Sequence, residues 1–312
     1  MPELPEVEGF RRRLAPLILG QRIRRLDVRD PKLWRPAPGL DTQAVDGRTV
    51  QSLQRRAKLL IMSLDGGLTL VTHLKIAGQL VYESWAPDGT APPPESHGVA
   101  PGATRLVGGH PYPLPGTAFP DASTRFVLSL QGGTLFVNDQ RRFAWLRLLP
   151  STELESFIAE QRYGPDPLDA GFTPAVLAAR LRARKGRPIK AALLDQTCVA
   201  GLGNIYANEA LHGARLYPMI RCGDLSPTEV EQLHAAIGGV LEVAVPVGGA
   251  LVKVGRAVPD PHSGRDFLRA HGRAGESCLT CAAEGRGDGA RIVRVVMAGR
   301  GTYFCPVCQP AR

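Results

Sequence analysis

The sequence predicts an α+β protein: an N-terminal β-sandwich with flanking helices, then a helical half, then a short β-hairpin flanked by cysteines. Three observations predict it. From about residue 20 to 148, apolar and β-branched runs of strand length alternate with turns, as in GLTLVTHL and GGTLFVND, the texture of an antiparallel sandwich. From about 151 to 247, apolar residues recur at spacings of three and four behind Ser/Thr caps, as in TPAVLAARLRARKG and SPTEVEQLHAAIGGVLEVAV. At the end of the chain, Cys278, Cys281, Cys305 and Cys308 read C-x2-C-x23-C-x2-C, two knuckles able to surround one metal ion.

Taken in order, the chain opens on MPELPEVEGF, an unusual start, because chain ends ordinarily fray. Pro5 suits the first turn of a helix through EVEGFRRRL, and Leu4, preceding a proline, is biased to extended geometry. Glu8 is expected to face solvent. The sandwich follows, interrupted at 86–122 by a stretch rich in Pro and Gly with little periodicity, read as a surface insertion. The expected domains are 1–150, 151–265 and 266–312. In the last, ARIVRVVMAGRGTYF gives two apolar runs around a turn at Ala298, Gly299, Arg300 and Gly301. A four-thiolate site leaves no open position for water, so one zinc ion is expected to fold this module rather than perform chemistry. Cys198 and Cys222 lack partner spacing and are expected to be buried thiols.

With 312 residues the chain suffices for about two domains, and a hydrophobic fraction of 44% marks it as globular. Lys and Arg number 38 against 29 Asp and Glu, a net charge of +9. Such an excess favours a polyanionic partner, most simply nucleic acid, with generic solubility charge as the alternative. No apolar run approaches the roughly 20 residues of a membrane span. The acidic first residues lack the basic flank and apolar core of a secretory leader, so no membrane partner and a cytoplasmic location are expected.

Four motifs occur in order along nearly the whole chain: MPELPEVE, DQRRFAWL (Asp139 to Leu146), IKAALLDQTCVAGLGNIYANEAL (Ile189 to Leu211) and GRGTYFCPVCQ (Gly299 to Gln309). In these the chain resembles the formamidopyrimidine-DNA glycosylases. The resemblance implies a bifunctional base-excision repair enzyme that removes oxidised purines and then cuts the strand. It further implies a helix-two-turn-helix in the helical half, double-stranded DNA carrying oxidised bases as partner, and a monomer.

The resemblance makes Pro2 the nucleophile, and chemistry supports this independently. Removing Met1 frees a secondary amine found nowhere else in a polypeptide. An α-amine of reference pKa about 7.7–8.0 is already partly neutral at physiological pH, and a helix N-terminus beside it disfavours its protonated form. Attack on the anomeric carbon expels the base and leaves a cationic imine, an electron sink for elimination. The bland reading is that Pro2 is a processing signal. Glu3 takes the acid/base position beside the amine. Glu6 fits either an auxiliary catalytic role or a first-turn helix charge. Lys58, in QRRAKLLIMSL, matches the lysine that assists base loss and elimination; a basic strand edge beside Arg55 and Arg56 is the alternative.

Enzymes that act on a base take it out of the stack, and something must fill the hole. Arg141 and Phe143 match the arginine facing the orphaned base and the phenylalanine wedge. Phe143 as plain core is the competing reading. The third wedge position, usually methionine in HLxM, is Ile76 in HLKIAG. Asn204 matches the asparagine that binds phosphate beside the lesion, and Arg300 the arginine that shares this duty and assists the second elimination. Two departures bear on substrate. A common Lys-His pair is replaced by Ala122 and Ser123, and Gly248–Arg273, where the family closes a loop over the extruded base, aligns poorly. Two alternatives stand beside the main reading: an endonuclease VIII-like enzyme for oxidised pyrimidines, disfavoured by the start motif and the Arg-Phe pair, and a catalytically silent binder of abasic or nicked DNA.

Overall fold

The computed structural model describes residues 2–85, 104–109, 117–250, 267–286, 289–297 and 299–311. Contacts divide the chain into two compact units, one running from the N-terminus to Glu160, the other comprising Gln161–Ala250 and the chain from Gly264 onward.

The first unit begins with helix α1 (Leu4–Ile18). Its apolar residues Val7, Phe10, Leu14 and Ile18, spaced three and four apart, join a core filled from both sheets of a sandwich. The strands are β1 (Ile23–Val28), β2 (Trp34–Pro36), β3 (Val50–Arg56), β4 (Leu59–Leu64), β5 (Leu68–His73), β6 (Gly78–Ser84), β7 (Arg105–Gly109), β8 (Thr124–Leu130), β9 (Gly133–Asp139) and β10 (Trp145–Pro150). One sheet runs β1-β8-β9-β6-β7, the other β2-β10-β5-β4-β3. Period-two residues such as Leu60, Met62 and Leu64 of β4, and Leu135 and Val137 of β9, fill the space between them. A short helix, α2 (Leu154–Glu160), closes the unit by setting Phe157 edge-on against Trp145, with ring centroids 6.2 Å apart.

Three features depart from the sequence reading. The sandwich is not wholly antiparallel, because the three-residue β2 lies parallel to β10. Within the stretch read as a patternless insertion, β7 pairs with β6 and buries Leu106 and Val107. Five residues are too few to show a period, so only the partner strand reveals it. Of that insertion, 86–103 and 110–116 lie outside the described residues, as does 251–266 of the expected base-covering loop. Finally, Leu4 is the first helical residue and Glu3 the extended one, at φ −112° and ψ −170°. Pro5 then falls within the first turn, where backbone N–H groups have no helical partner anyway.

The second unit holds α3 (Pro174–Arg182), α4 (Ile189–Leu194), α5 (Asn204–Gly213), α6 (Pro227–Ala244), α7 (Leu279–Ala283) and the hairpin β11 (Val293–Met297) and β12 (Arg300–Phe304). Caps set its helix starts: Thr173 Oγ1 accepts from Val176 N at 3.3 Å, and Ser226 and Glu229 form a reciprocal capping box. Helices and hairpin form one compact unit because α5 packs on β12, where Asn208 Oδ1 accepts from Tyr303 N at 3.4 Å. Among the described residues, no helix is long and apolar enough to cross a membrane.

Candidate functional site

The chain start is held in place. Pro2 is buried, as are Glu3 and Glu6, and the Glu6 carboxylate accepts the Glu3 backbone N–H at 2.8 Å. Glu6 thus fixes the angle at which residues 2 and 3 enter α1, the first-turn role allowed by its position. Glu8 does not face solvent. It is 5% exposed and receives Arg11 Nη2 and Arg12 Nε at 2.8 Å and Arg55 Nε at 3.2 Å. Burial raises its pKa, but the hydrogen bonds from Arg11 and Arg12 and the charges of Arg11 and Arg55 outweigh burial and hold it at about 2. Arg11 and Arg12 reach Glu8 from three and four residues on in α1, as helical spacing allows; Arg55 from β3 completes the cover, which local pattern cannot foresee.

Lys58 follows Ala57 (φ 52°) in the turn between β3 and β4 and is 7% exposed, so it is not a solvated strand-edge charge. Its charge is felt at His73, which pairs across the sheet with Leu59. Burial first, then Lys75, Lys58 and Arg35, push the His73 pKa down to about 3. His73 Nδ1 accepts Lys75 N–H at 2.8 Å, which leaves the neutral ring's proton on Nε2 as a donor. The sequence reading passed over His73 although it lies within HLKIAG.

These two groups contribute to the acid response of folding. Asp195, which burial would raise but hydrogen bonds from Thr197 and Arg184 hold at about 2, acts in the same sense. The unfolded chain protonates His73 near pH 6.5 while the folded chain resists until about 3, so stability is expected to fall as pH drops below 6.5. The contribution of Glu8, fully present above 4.5, is lost as pH falls towards 2. Urea midpoints measured between about pH 8 and pH 4 should therefore decline only on the acid side. A midpoint independent of pH across that range would contradict both assignments.

The two loops that carry Ile76 and Phe143 emerge side by side. Gly78 of β6 pairs with Asp139 of β9, and Trp145 of β10 pairs with His73 of β5, so the β5–β6 and β9–β10 connections leave the sandwich at the same end. In the first loop Gly78 N donates to Leu74 O at 2.9 Å, and a Cβ on Gly78 would lie 2.3 Å from that oxygen, so only glycine closes the turn that presents Ile76. In the second, the buried Asp139 carboxylate accepts three backbone N–H groups, from Arg141, Phe143 and Ala144, at 2.9, 2.8 and 2.7 Å. Arg142, at φ 58°, is held by Asp30 at 2.7 Å. Sequence reasoning missed Asp139 as the organiser of this loop, although an aspartate opening a tight turn is a recognised signal.

Phe143 is 47% exposed and Ile76 40%, which excludes Phe143 as core and leaves two large apolar side chains at neighbouring loop tips. The Arg141 guanidinium carbon lies 5.3 Å from the Phe143 ring centroid. On the activity that the resemblance implies, Phe143→Ala is expected to slow excision from duplex by about tenfold or more while cleavage of a pre-formed abasic site changes less than about threefold, since an abasic nucleotide needs no unstacking. Equal losses on the two substrates would assign Phe143 a folding role.

In the second unit, Asn204 opens α5 behind the extended Gly203, and the turn before it is braced by its own motif. Gln196 Oε1 accepts from Gly201 N at 2.9 Å and its Nε2 donates to Leu202 O at 2.7 Å. Asn204 Nδ2 donates to Gly301 O at 3.0 Å. The same carbonyl accepts from Lys190 Nζ at 2.9 Å, and this fully buried lysine also donates to Thr302 Oγ1 at 2.7 Å. Asn204 and Lys190 together pin the start of β12, leaving Arg300 exposed as its first residue rather than within the turn. A buried lysine in IKAALL carries no sequence signal that distinguishes it from a surface one.

The four cysteines of the knuckles are buried and their sulfurs lie within 4.8 Å of one another. Cys278 and Cys308 are 3.8 Å apart and Cys281 and Cys305 3.7 Å apart. A tetrahedral ion with metal–sulfur bonds of about 2.3 Å requires edges of about 3.8 Å, so the donor set fits one structural zinc ion. Gln309 supports the second knuckle, accepting from Cys305 N at 3.0 Å and donating to Leu216 O at 2.8 Å. Cys198 and Cys222 are buried, and burial raises both thiols, Cys222 to about 11, so neither is reactive.

Three family models match the chain: the formamidopyrimidine-DNA glycosylase N-terminal domain over residues 1–146, the formamidopyrimidine-DNA glycosylase H2TH domain over 163–255, and the zinc finger found in FPG and IleRS over 289–311. A formamidopyrimidine-DNA glycosylase of Methylobacterium radiotolerans is 41% identical over 318 aligned residues, covering 99% of each chain. One from Thermus thermophilus is 37% identical, over 99% of this chain and 98% of its own. Among solved structures, the Lactococcus lactis Fpg bound to abasic-site DNA superposes with a TM-score of 0.78 at 29% identity, over 99% of this chain and 100% of that one. The same enzyme bound to N7-benzyl-Fapy-dG DNA also gives a TM-score of 0.78.

Proposed function

Since the chain belongs to the formamidopyrimidine-DNA glycosylase family, we propose that it removes oxidised purines, formamidopyrimidine and 8-oxoguanine, from double-stranded DNA and then cuts the strand at the abasic site. With Met1 removed, the Pro2 nitrogen attacks the anomeric carbon and the glycosidic bond breaks towards the base, which leaves as its nitrogen is protonated. Glu3 protonates the ring oxygen as the sugar opens, and loss of the Pro2 proton leaves a cationic imine. The imine acidifies the neighbouring carbon; loss of that proton expels the 3′ phosphate, and a second elimination expels the 5′ phosphate. Lys58 assists base loss and elimination. Asn204, the first-turn amides of α5 and Arg300 hold phosphate, and Arg300 assists the second elimination. Ile76, Phe143 and Arg141 fill the space left by the extruded nucleotide.

In this reading residues 1–150 carry the chemistry, 151–265 form the helix-two-turn-helix and 266–312 the zinc hairpin. On the same reading one chain supplies every group, the enzyme acts as a monomer, and its place of action is the cytoplasm. The observation that carries the reading is the held chain start: Pro2 is buried beside Glu3, whose backbone N–H is held by the Glu6 carboxylate. The test is borohydride trapping on duplexes carrying 8-oxoguanine, formamidopyrimidine, oxidised thymine or an abasic site. Covalent adducts are expected with the two purine lesions and the abasic site. No adduct on any duplex would leave a silent DNA binder.

A further inference from the structure

One imidazole stands against the zinc centre without belonging to its ligand set. His212, in the last turn of α5, is 2% exposed, and its Nε2 lies 3.5 Å from Cys278 Sγ and 3.8 Å from Cys308 Sγ, two sulfurs 3.8 Å from each other. The ring nitrogen therefore caps one edge of the tetrahedron. We propose that His212 donates its Nε2–H to the Cys278–Cys308 edge of the zinc centre and so sets how tightly the metal is held and how readily those sulfurs react.

Charge requires a donor at this place. Four thiolates around one divalent ion leave a net charge of −2 in a cluster whose neighbours Ala270, Ala290 and Ile292 are buried and apolar. A buried charge is tolerated only where hydrogen-bond donors meet it. Thiolates accept and do not donate, so the nitrogen facing them carries the proton. The geometry also separates this role from ligation. Two opposite edges of the four-sulfur set already have the length of a closed tetrahedral shell, whereas a zinc–nitrogen bond of about 2.0–2.1 Å would require His212 to displace one of the sulfurs. Such outer contacts orient ligands and withdraw charge from sulfur, and their loss typically weakens metal binding about 10–100-fold. Because His212 and Asn204 belong to one helix, the contact also ties the metal centre to the helix whose first turn faces the proposed phosphate.

The experiment compares the full-length protein with His212→Phe, which keeps a ring and removes the donor, and His212→Gln, which returns an N–H donor. Zinc transfer to a chromophoric chelator is expected to be about 10–100-fold more favourable from His212→Phe and close to parent from His212→Gln. In the cobalt-substituted proteins, the sulfur-to-metal charge-transfer band should move to lower energy in His212→Phe only, with ligand-field bands unchanged. Parent-like zinc retention in His212→Phe overturns the proposal. Equal weakening in both variants without a charge-transfer shift overturns it in favour of simple packing, and altered ligand-field bands overturn it in favour of direct ligation. A measurement on the unmutated protein needs no variant to fold: loaded with an NMR-active cadmium isotope, it should show scalar coupling between the His212 Nε2–H proton and the metal. Absence of that coupling also overturns the proposal.

Discussion

Protein that retains Met1, or carries any N-terminal extension, is expected to form no borohydride-trapped adduct with lesion DNA and to lose strand cleavage by about 10³-fold or more, while still binding duplex. A blocked Pro2 nitrogen is an amide, whose lone pair is delocalised into the carbonyl and cannot attack carbon. Losses of this size accompany removal of a covalent nucleophile, because the remaining groups act only in concert with it. Lys58→Ala with a free Pro2 is the control. It should keep the adduct, mapped to the N-terminal peptide, while catalysing slowly. A lysine nucleophile would reverse both outcomes: the blocked protein would trap DNA and Lys58→Ala would not. The held geometry of residues 2 and 3 adds a second expectation, that Glu6→Ala, which frees the Glu3 N–H, lowers the yield of adduct without abolishing it.

Cys305→Ser is expected to lose the zinc ion and, with it, duplex affinity by about tenfold or more, roughly 1.4 kcal/mol for each factor of ten. Among the described residues, the buried cluster around the cysteines holds only Ala270, Ala290 and Ile292 besides them. Without metal the hairpin lacks the energy to order its strands, and Arg300 is no longer held at the start of β12. Metal analysis and a binding titration on the same preparation check the link. Loss of zinc with unchanged duplex affinity would show that the hairpin does not contribute to DNA binding. Borohydride trapping at saturating enzyme should fall much less than affinity, since the zinc centre supplies no reacting group.

Both effects were visible in the linear chain because each depends on residues close together in sequence. Pro2, Glu3 and Glu6 share one helix start, and each cysteine knuckle is a four-residue unit whose chemistry follows from its spacing. The Ser226–Glu229 capping box and the strand–turn texture of the sandwich are of the same kind, governed by backbone preference and period over a few residues. Other features were decided by partners far along the chain. Glu8 is bound locally by Arg11 and Arg12, but its third arginine, Arg55, reaches it only because β3 brings that residue from 47 positions away. The strand β7 exists because β6 offers it an edge, and β2 runs parallel because β10 lies beside it. Lys190 is a buried pin rather than a surface charge because Gly301 O, 111 residues later, accepts from it, and His212 meets a thiolate 66 residues ahead. The sequence by itself therefore determined which chemical groups the protein owns and the local elements that carry them. Only the tertiary structure decided which of those groups are buried and what they touch, because burial and hydrogen-bond partnership depend on segments that local preference does not connect.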